Sequence, residues 1–99
     1  MFLDSEPPVI TNCPATITVY TDANSDDVTV TWDLPTVTDN HDQSVTLKRT
    51  MGPASGSRFA VRPQNIYTVT YEATDANGNE AIPCSFQVIV QRKIFSQTA

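Results

Sequence analysis

Between Tyr67 and Thr74 the chain alternates apolar and polar side chains one for one. Tyr67, Val69, Tyr71 and Ala73 fall on one side, and Thr68, Thr70, Glu72 and Thr74 on the other. A period of two marks a strand with one buried and one wet face, and no helix satisfies it. The pattern returns near the end of the chain, where Cys84, Phe86, Val88 and Val90 oppose Ser85, Gln87 and Gln91. It is present earlier in Val28, Val30 and Trp32 against Thr29, Thr31 and Asp33, and in Ile17 and Val19 through Tyr20. Shorter extended pieces open at Val9-Ile10, reaching Cys13-Pro14, and at Val45 and Leu47, while Phe59 and Val61 pin a short edge strand.

Turn chemistry separates these pieces. Asp22 to Asp27 is a run of side chains that hydrogen-bond their own backbone, Pro35 ends the strand holding Trp32, and Asp39 to Gln43 forms another loop. In Asp75-Ala76-Asn77-Gly78-Asn79 the glycine supplies the positive φ that the turn needs. Seven prolines leave no stretch long enough for a good helix, while fourteen Thr and ten Val supply β-formers. About seven short strands in 99 residues predict an all-β, antiparallel two-sheet sandwich around one core. Trp32, Tyr67, Tyr71, Phe86 and Phe59 are assigned to that core. The Tyr71-Glu72-Ala73 step resembles the corner at which a tyrosine hydroxyl reaches back to backbone in immunoglobulin strand F. Ala73 stands where the second cysteine of that fold would be, so an inter-sheet disulfide at that position is impossible.

Several function classes fall away. A net charge of −5 and a pI near 4.4, with no basic patch, argue against nucleic-acid binding. No apolar run approaches the roughly eighteen residues of a membrane span. The one histidine, His41, has no nucleophile motif beside it, and Ser25 and Ser44 lack the setting of an activated serine. Asp26 and Asp27 are adjacent on a turn, where side chains splay apart into water rather than converge as an acid pair. No enzyme is expected, and a single histidine cannot hold zinc.

Cys13 and Cys84 stand near opposite ends of the chain. Such spacing suits neither a redox pair nor a metal site. If the two pair, the bridge staples the first strand region to the last, contributes about 4 kcal/mol on a chain-entropy account, and implies an oxidising compartment. The alternative is two separate buried thiols in a reducing one. The stretch Asp4 to Pro8, acidic and stiffened by two prolines, suits a semi-rigid linker. The expected organisation is a linker or start at 1–7, one domain at 8–91, and a tail or linker at 92–99.

An ordered set of segments then carries a resemblance. Pro7-Pro8-Val9-Ile10 with Cys13-Pro14, and Val30-Thr31-Trp32-Asp33-Leu34-Pro35 leading to Asp39-Asn40, make the first half. Gly56-Ser57-Arg58-Phe59, Tyr71 through Asn79, and Cys84-Ser85-Phe86 make the second. Together they resemble the HYR (hyalin repeat) domain over roughly residues 4–91. The chain departs from the family pattern in reading Phe59-Ala60-Val61-Arg62 where Phe-Pro-x-Gly is usual, and in longer intervals before Tyr71 and before Cys84. The resemblance implies an immunoglobulin-like sandwich in an extracellular multidomain protein, beside sushi or EGF-like modules, with adhesion as its role. Its partners would be other extracellular proteins or neighbouring domains, and no catalytic residues come with it.

Two candidate sites follow. In an immunoglobulin-like sandwich the loops carrying Asp39, Asn40 and Asp42 and those carrying Asp75, Asn77 and Asn79 emerge at one pole. Their oxygen-rich side chains suit calcium, with Asp4 and Glu6 of a neighbouring repeat completing the set. The bland reading is that the same residues cap turns. The irregular segment from Met51 to Asn65 carries Arg58 and Arg62, which either meet a protein partner or merely offset the acidic surface. The function expected is an adhesive protein-binding module, or alternatively a spacer between repeats stiffened by calcium at the loop pole.

Overall fold

The computed structural model describes residues 6–39 and 45–93; the expectations placed on Asp4, Asn40, His41, Asp42, Ser44 and the tail beyond Lys93 lie outside them. Eight strands follow one another: β1 (Val9–Thr11), β2 (Ile17–Thr21), β3 (Asp27–Thr29), β4 (Thr36–Thr38), β5 (Lys48–Met51), β6 (Arg58–Ala60), β7 (Ile66–Glu72) and β8 (Cys84–Arg92). No helix of the described residues is long and apolar enough to cross a membrane.

The two strands with the cleanest alternation sit at the centre. β7 and β8 pair antiparallel from Ile66 opposite Ile89 to Tyr71 opposite Cys84, within a sheet of order β2-β8-β7-β5. Two ribbons make the facing layer. β1 pairs antiparallel with β4, and β3 with β6, Val28 lying opposite Phe59. The β3–β6 ladder continues as the Val30 N–H donates to the Ser57 carbonyl at 3.1 Å and the Gly56 N–H to the Val30 carbonyl at 2.7 Å. The architecture is an all-β, immunoglobulin-like sandwich.

Period-two burial fills the space between the layers. Val69, Tyr71, Phe86, Val88 and Val90 from the sheet meet Val30 and Phe59 from the ribbons, and Phe59, Val69, Val88 and Val90 are wholly buried. Burying one such side chain contributes roughly 1.5–3 kcal/mol, so this cluster is the main source of cohesion. Aromatic edges cross the interface: Trp32 stands edge-on to Phe86 at 5.2 Å, and Phe59 to Tyr67 at 5.0 Å.

Some details differ from the sequence expectation. Among the described residues one strand had no sequence counterpart: the chain resumes pairing as β4 directly after Pro35. One pair is parallel: β2 runs alongside β8, with Ile17 opposite Val88 and Thr21 opposite Arg92. Finally, Gly52 adopts φ 84° where its backbone lies against β7, and a Cβ there would stand 2.4 Å from the Thr68 carbonyl oxygen. Only glycine fits that approach.

Strand directions define two ends. β2 and β8 run toward the tail end, where the 21–27 and 61–66 turns lie. β4 and β7 run toward the head end, where β1 and β8 begin.

Candidate functional site

At the head end, the turn after β7 is built around the Asp75 carboxylate. Its Oδ1 accepts the backbone N–H groups of Asn77 and Asn79, both at 2.9 Å, and its Oδ2 accepts the Asn79 side-chain amide at 3.0 Å. The Asp75 N–H donates to the Asn79 carbonyl at 3.0 Å, the Gly78 N–H donates to the Asp75 carbonyl at 3.1 Å, and Gly78 adopts φ 86°. Asp75 is buried. Burial, the largest influence on it, pushes its pKa up, but the bonds from Asn79, Asn77 and Asp39 outweigh that and hold it below the usual carboxylate range. Asp39, just past β4, lies within side-chain hydrogen-bonding reach of Asp75. The structure brings together Asp39, Asp75, Asn77 and Asn79 of the calcium candidates. Among the described residues no group of three or more His, Cys, Asp or Glu is placed to hold a metal ion. What the head-end turn does visibly is satisfy backbone donors that a tight loop would otherwise leave open.

At the tail end, Arg58 from β6 forms an ion pair with Asp27 on β3 and hydrogen-bonds Thr29 Oγ1 at 3.3 Å. Arg62 reaches Asp26 at 3.4 Å. Sequence reasoning missed the third arginine. Arg92, the last residue of β8, donates to the carbonyls of Ala23 and Ser25 at 3.1 and 3.0 Å and pairs with Asp26. The Asp26 pKa is lowered first by its hydrogen bond from Arg92 and then by that from Arg62. The Asp22–Asp27 turn is therefore clamped to the end of the last strand. A basic residue closing a strand beside a carbonyl-rich turn was the available sequence signal.

The tyrosine corner is also displaced. Tyr71 does not reach backbone; its hydroxyl accepts the Trp32 indole N–H at 3.2 Å. Tyr67 takes that role. Its hydroxyl donates toward the carbonyls of Ala60 at 2.8 Å and Gln64 at 3.3 Å, and accepts the Ala60 N–H at 3.1 Å. It closes the connection from β6 to β7 as strand-F tyrosines do in sandwiches of this kind. Cys13, two residues after β1, and Cys84, opening β8, form a disulfide with Cα atoms 5.6 Å apart.

A sandwich stapled in this way, with oxygen-rich turns at one end, agrees with what comparison with known proteins shows. The family model described as the HYR domain matches residues 3–90. This chain belongs to the HYR domain family. It is 36% identical over 87 residues to the sushi, von Willebrand factor type A, EGF and pentraxin domain-containing protein 1 of Rattus norvegicus, covering 88% of this chain and 2% of that protein. The corresponding Mus musculus protein is also 36% identical over 87 residues, again 88% of this chain and 2% of that protein. Hyalin of Strongylocentrotus purpuratus is 39% identical over 79 residues, 80% of this chain and 6% of that protein. This chain thus spans a small fraction of the length of each of these relatives. No solved structure matches it. The stretch in which this chain departs from the usual HYR pattern, after Phe59, is the one that Tyr67 ties down.

Proposed function

We propose that this HYR domain is a non-catalytic extracellular module of a multidomain protein, serving cell or matrix adhesion through protein–protein contacts. The observation that carries the reading is HYR membership over residues 3–90, with relatives whose names include hyalin and a protein of sushi, EGF and pentraxin domains. The Cys13–Cys84 bridge supports an oxidising, extracellular setting. The non-catalytic part is supported by Asp26 and Asp27, neighbours in sequence, being held by different arginines: Arg62 and Arg92 on the first, Arg58 on the second. Groups fixed in this way are tied to surface ion pairs rather than poised for proton transfer. Attachment of cells to a surface coated with the folded chain tests the reading. Attachment above that of a bare surface supports it, and attachment no greater than on the bare surface contradicts it.

A second reading, a spacer between neighbouring domains, has its own support. Arg58 and Arg62, the residues most suited to meet a partner, are engaged within the domain. Replacing both by alanine distinguishes the two: an adhesive contact through this segment loses attachment, whereas a spacer keeps it. If calcium stiffens the spacer at Asp39, Asp42 and Asp75, titration gives heat below millimolar calcium together with a raised melting temperature. No heat and no shift leave Asp39 and Asp75 to cap their turns.

A further inference from the structure

The two ends of the sandwich carry different charge. Arg58, Arg62, Arg92 and Lys93 lie at or near the tail end, four of the chain's six Lys and Arg. The acids there are Asp22, Asp26 and Asp27; Asp27 pairs with Arg58, and Asp26 is shared by Arg62 and Arg92, so the four cations outnumber the three acids by one. The head end gathers Glu6, Asp39, Glu72, Asp75 and Glu80, against Lys48 and Arg49. One end is acidic, and the other carries most of the positive charge.

Each end also exposes apolar surface. At the head a groove of about 300 Å³ runs between Pro7, Pro8, Val9, Ile10, Ile82 and Pro83, and Ile82 is 86% exposed. At the tail a hollow of about 530 Å³ lies between Tyr20, Thr21, Asp22, Gln91, Arg92 and Lys93, and Tyr20 is 58% exposed. Ile82, with Pro7, Pro8, Val9, Ile10 and Pro83, makes a contiguous apolar groove that docking would remove from water. A tyrosine beside cations offers an amphipathic counterpart.

We propose that the head of one copy of this chain docks on the tail of a second copy, Ile82 and Pro83 entering the hollow beside Tyr20 while Glu80 faces Lys93. Opposite charge selects this arrangement, because head against head would set carboxylates against carboxylates. The two surfaces are different patches, so the contact is heterologous and repeats from copy to copy. It does not depend on which outside protein the domain binds.

Sedimentation velocity of the chain over a concentration series, at low and raised salt, tests it. The expected result is concentration-dependent association that weakens with salt. Glu80→Lys and Lys93→Glu should each lower the association constant about tenfold, since each turns an attraction into a repulsion. An equimolar mixture of the two variants should regain it, because the reversed head of one then meets the reversed tail of the other. Ile82→Ser should weaken association at any salt concentration. Absence of association, a closed dimer indifferent to both charge reversals, or a mixture that fails to recover would overturn the proposal. Cell attachment reads a different surface property, so failure of either reading is seen without the other.

Discussion

The indole N–H of Trp32 donates to the hydroxyl of Tyr71 at 3.2 Å, joining the two layers of the sandwich through a polar bond at the rim of an apolar core. Both rings sit where period-two patterning puts them, and Tyr71 is buried. The hydroxyl that the sequence suggested for a backbone corner is used instead to satisfy the tryptophan. Tyr71→Phe leaves the indole without that acceptor and is expected to cost about 1 kcal/mol, the order of one lost hydrogen bond. Urea denaturation followed by tryptophan fluorescence measures it, and an unchanged midpoint would contradict the bond's role.

Tyr67→Phe removes a hydroxyl that donates to and accepts from the β6–β7 connection. With the Ala60 N–H and carbonyl both losing their partner, the expected cost is larger, about 1–3 kcal/mol. Amide exchange at Ala60 should rise in parallel. If Tyr67→Phe costs less than Tyr71→Phe, the corner is not where the structure puts it.

Two glycines with positive φ should respond differently to alanine. At Gly78 nothing lies within 4 Å of an added Cβ, so only the left-handed backbone resists, at about 1–2 kcal/mol. At Gly52 the same substitution also drives a methyl to within 2.4 Å of the Thr68 carbonyl, and β5 must separate from β7. Melting temperatures should therefore fall in the order wild type, Gly78→Ala, Gly52→Ala. The reverse order would contradict the close approach.

Asp75 makes the fold sensitive to acid. Its pKa lies below that of an unfolded aspartate, because the turn's hydrogen bonds outweigh its burial. The stability it adds is fully present above the unfolded value near 4, and is lost as pH falls through the lower folded value. The melting-temperature gap between wild type and Asp75→Asn should be widest at neutral pH and close on acidification. A gap constant with pH would show that the charge is not what holds the turn.

Much of this was legible in sequence because burial alternates along a strand. β7 and β8 declare themselves through Val69, Tyr71, Phe86, Val88 and Val90, and the Asp75–Asn79 turn through its residue types. β4 was hidden because Pro35 reads as a stop and Thr36-Val37-Thr38 is too short to show a period. The parallel pairing of β2 with β8 joins residues 71 apart, such as Ile17 and Val88, and no local pattern encodes it. The choice of Tyr67 over Tyr71 for the corner depends on the path of residues 61–65, which lies in the stretch with the weakest periodicity. The arginine partners were hidden for the same reason: Arg58 meets Asp27, and Arg92 meets Asp26, only after strands far apart in sequence have paired. At the head end residue chemistry named Asp39, Asp75 and Asn79, but not that Asn79 would saturate the Asp75 carboxylate.

The Cys13–Cys84 bond staples the start of the sandwich to its last strand, and the proposed extracellular setting rests on it more than on any other contact. The direct measurement is peptide mapping of the chain secreted from cells, combined with equilibrium unfolding before and after reduction. The expected result is one Cys13–Cys84 peptide, no free thiol, and a loss of about 4 kcal/mol on reduction, in keeping with a bridge closing so long a loop. Free thiols at both cysteines in a folded chain, with unfolding unaffected by reductant, would contradict it.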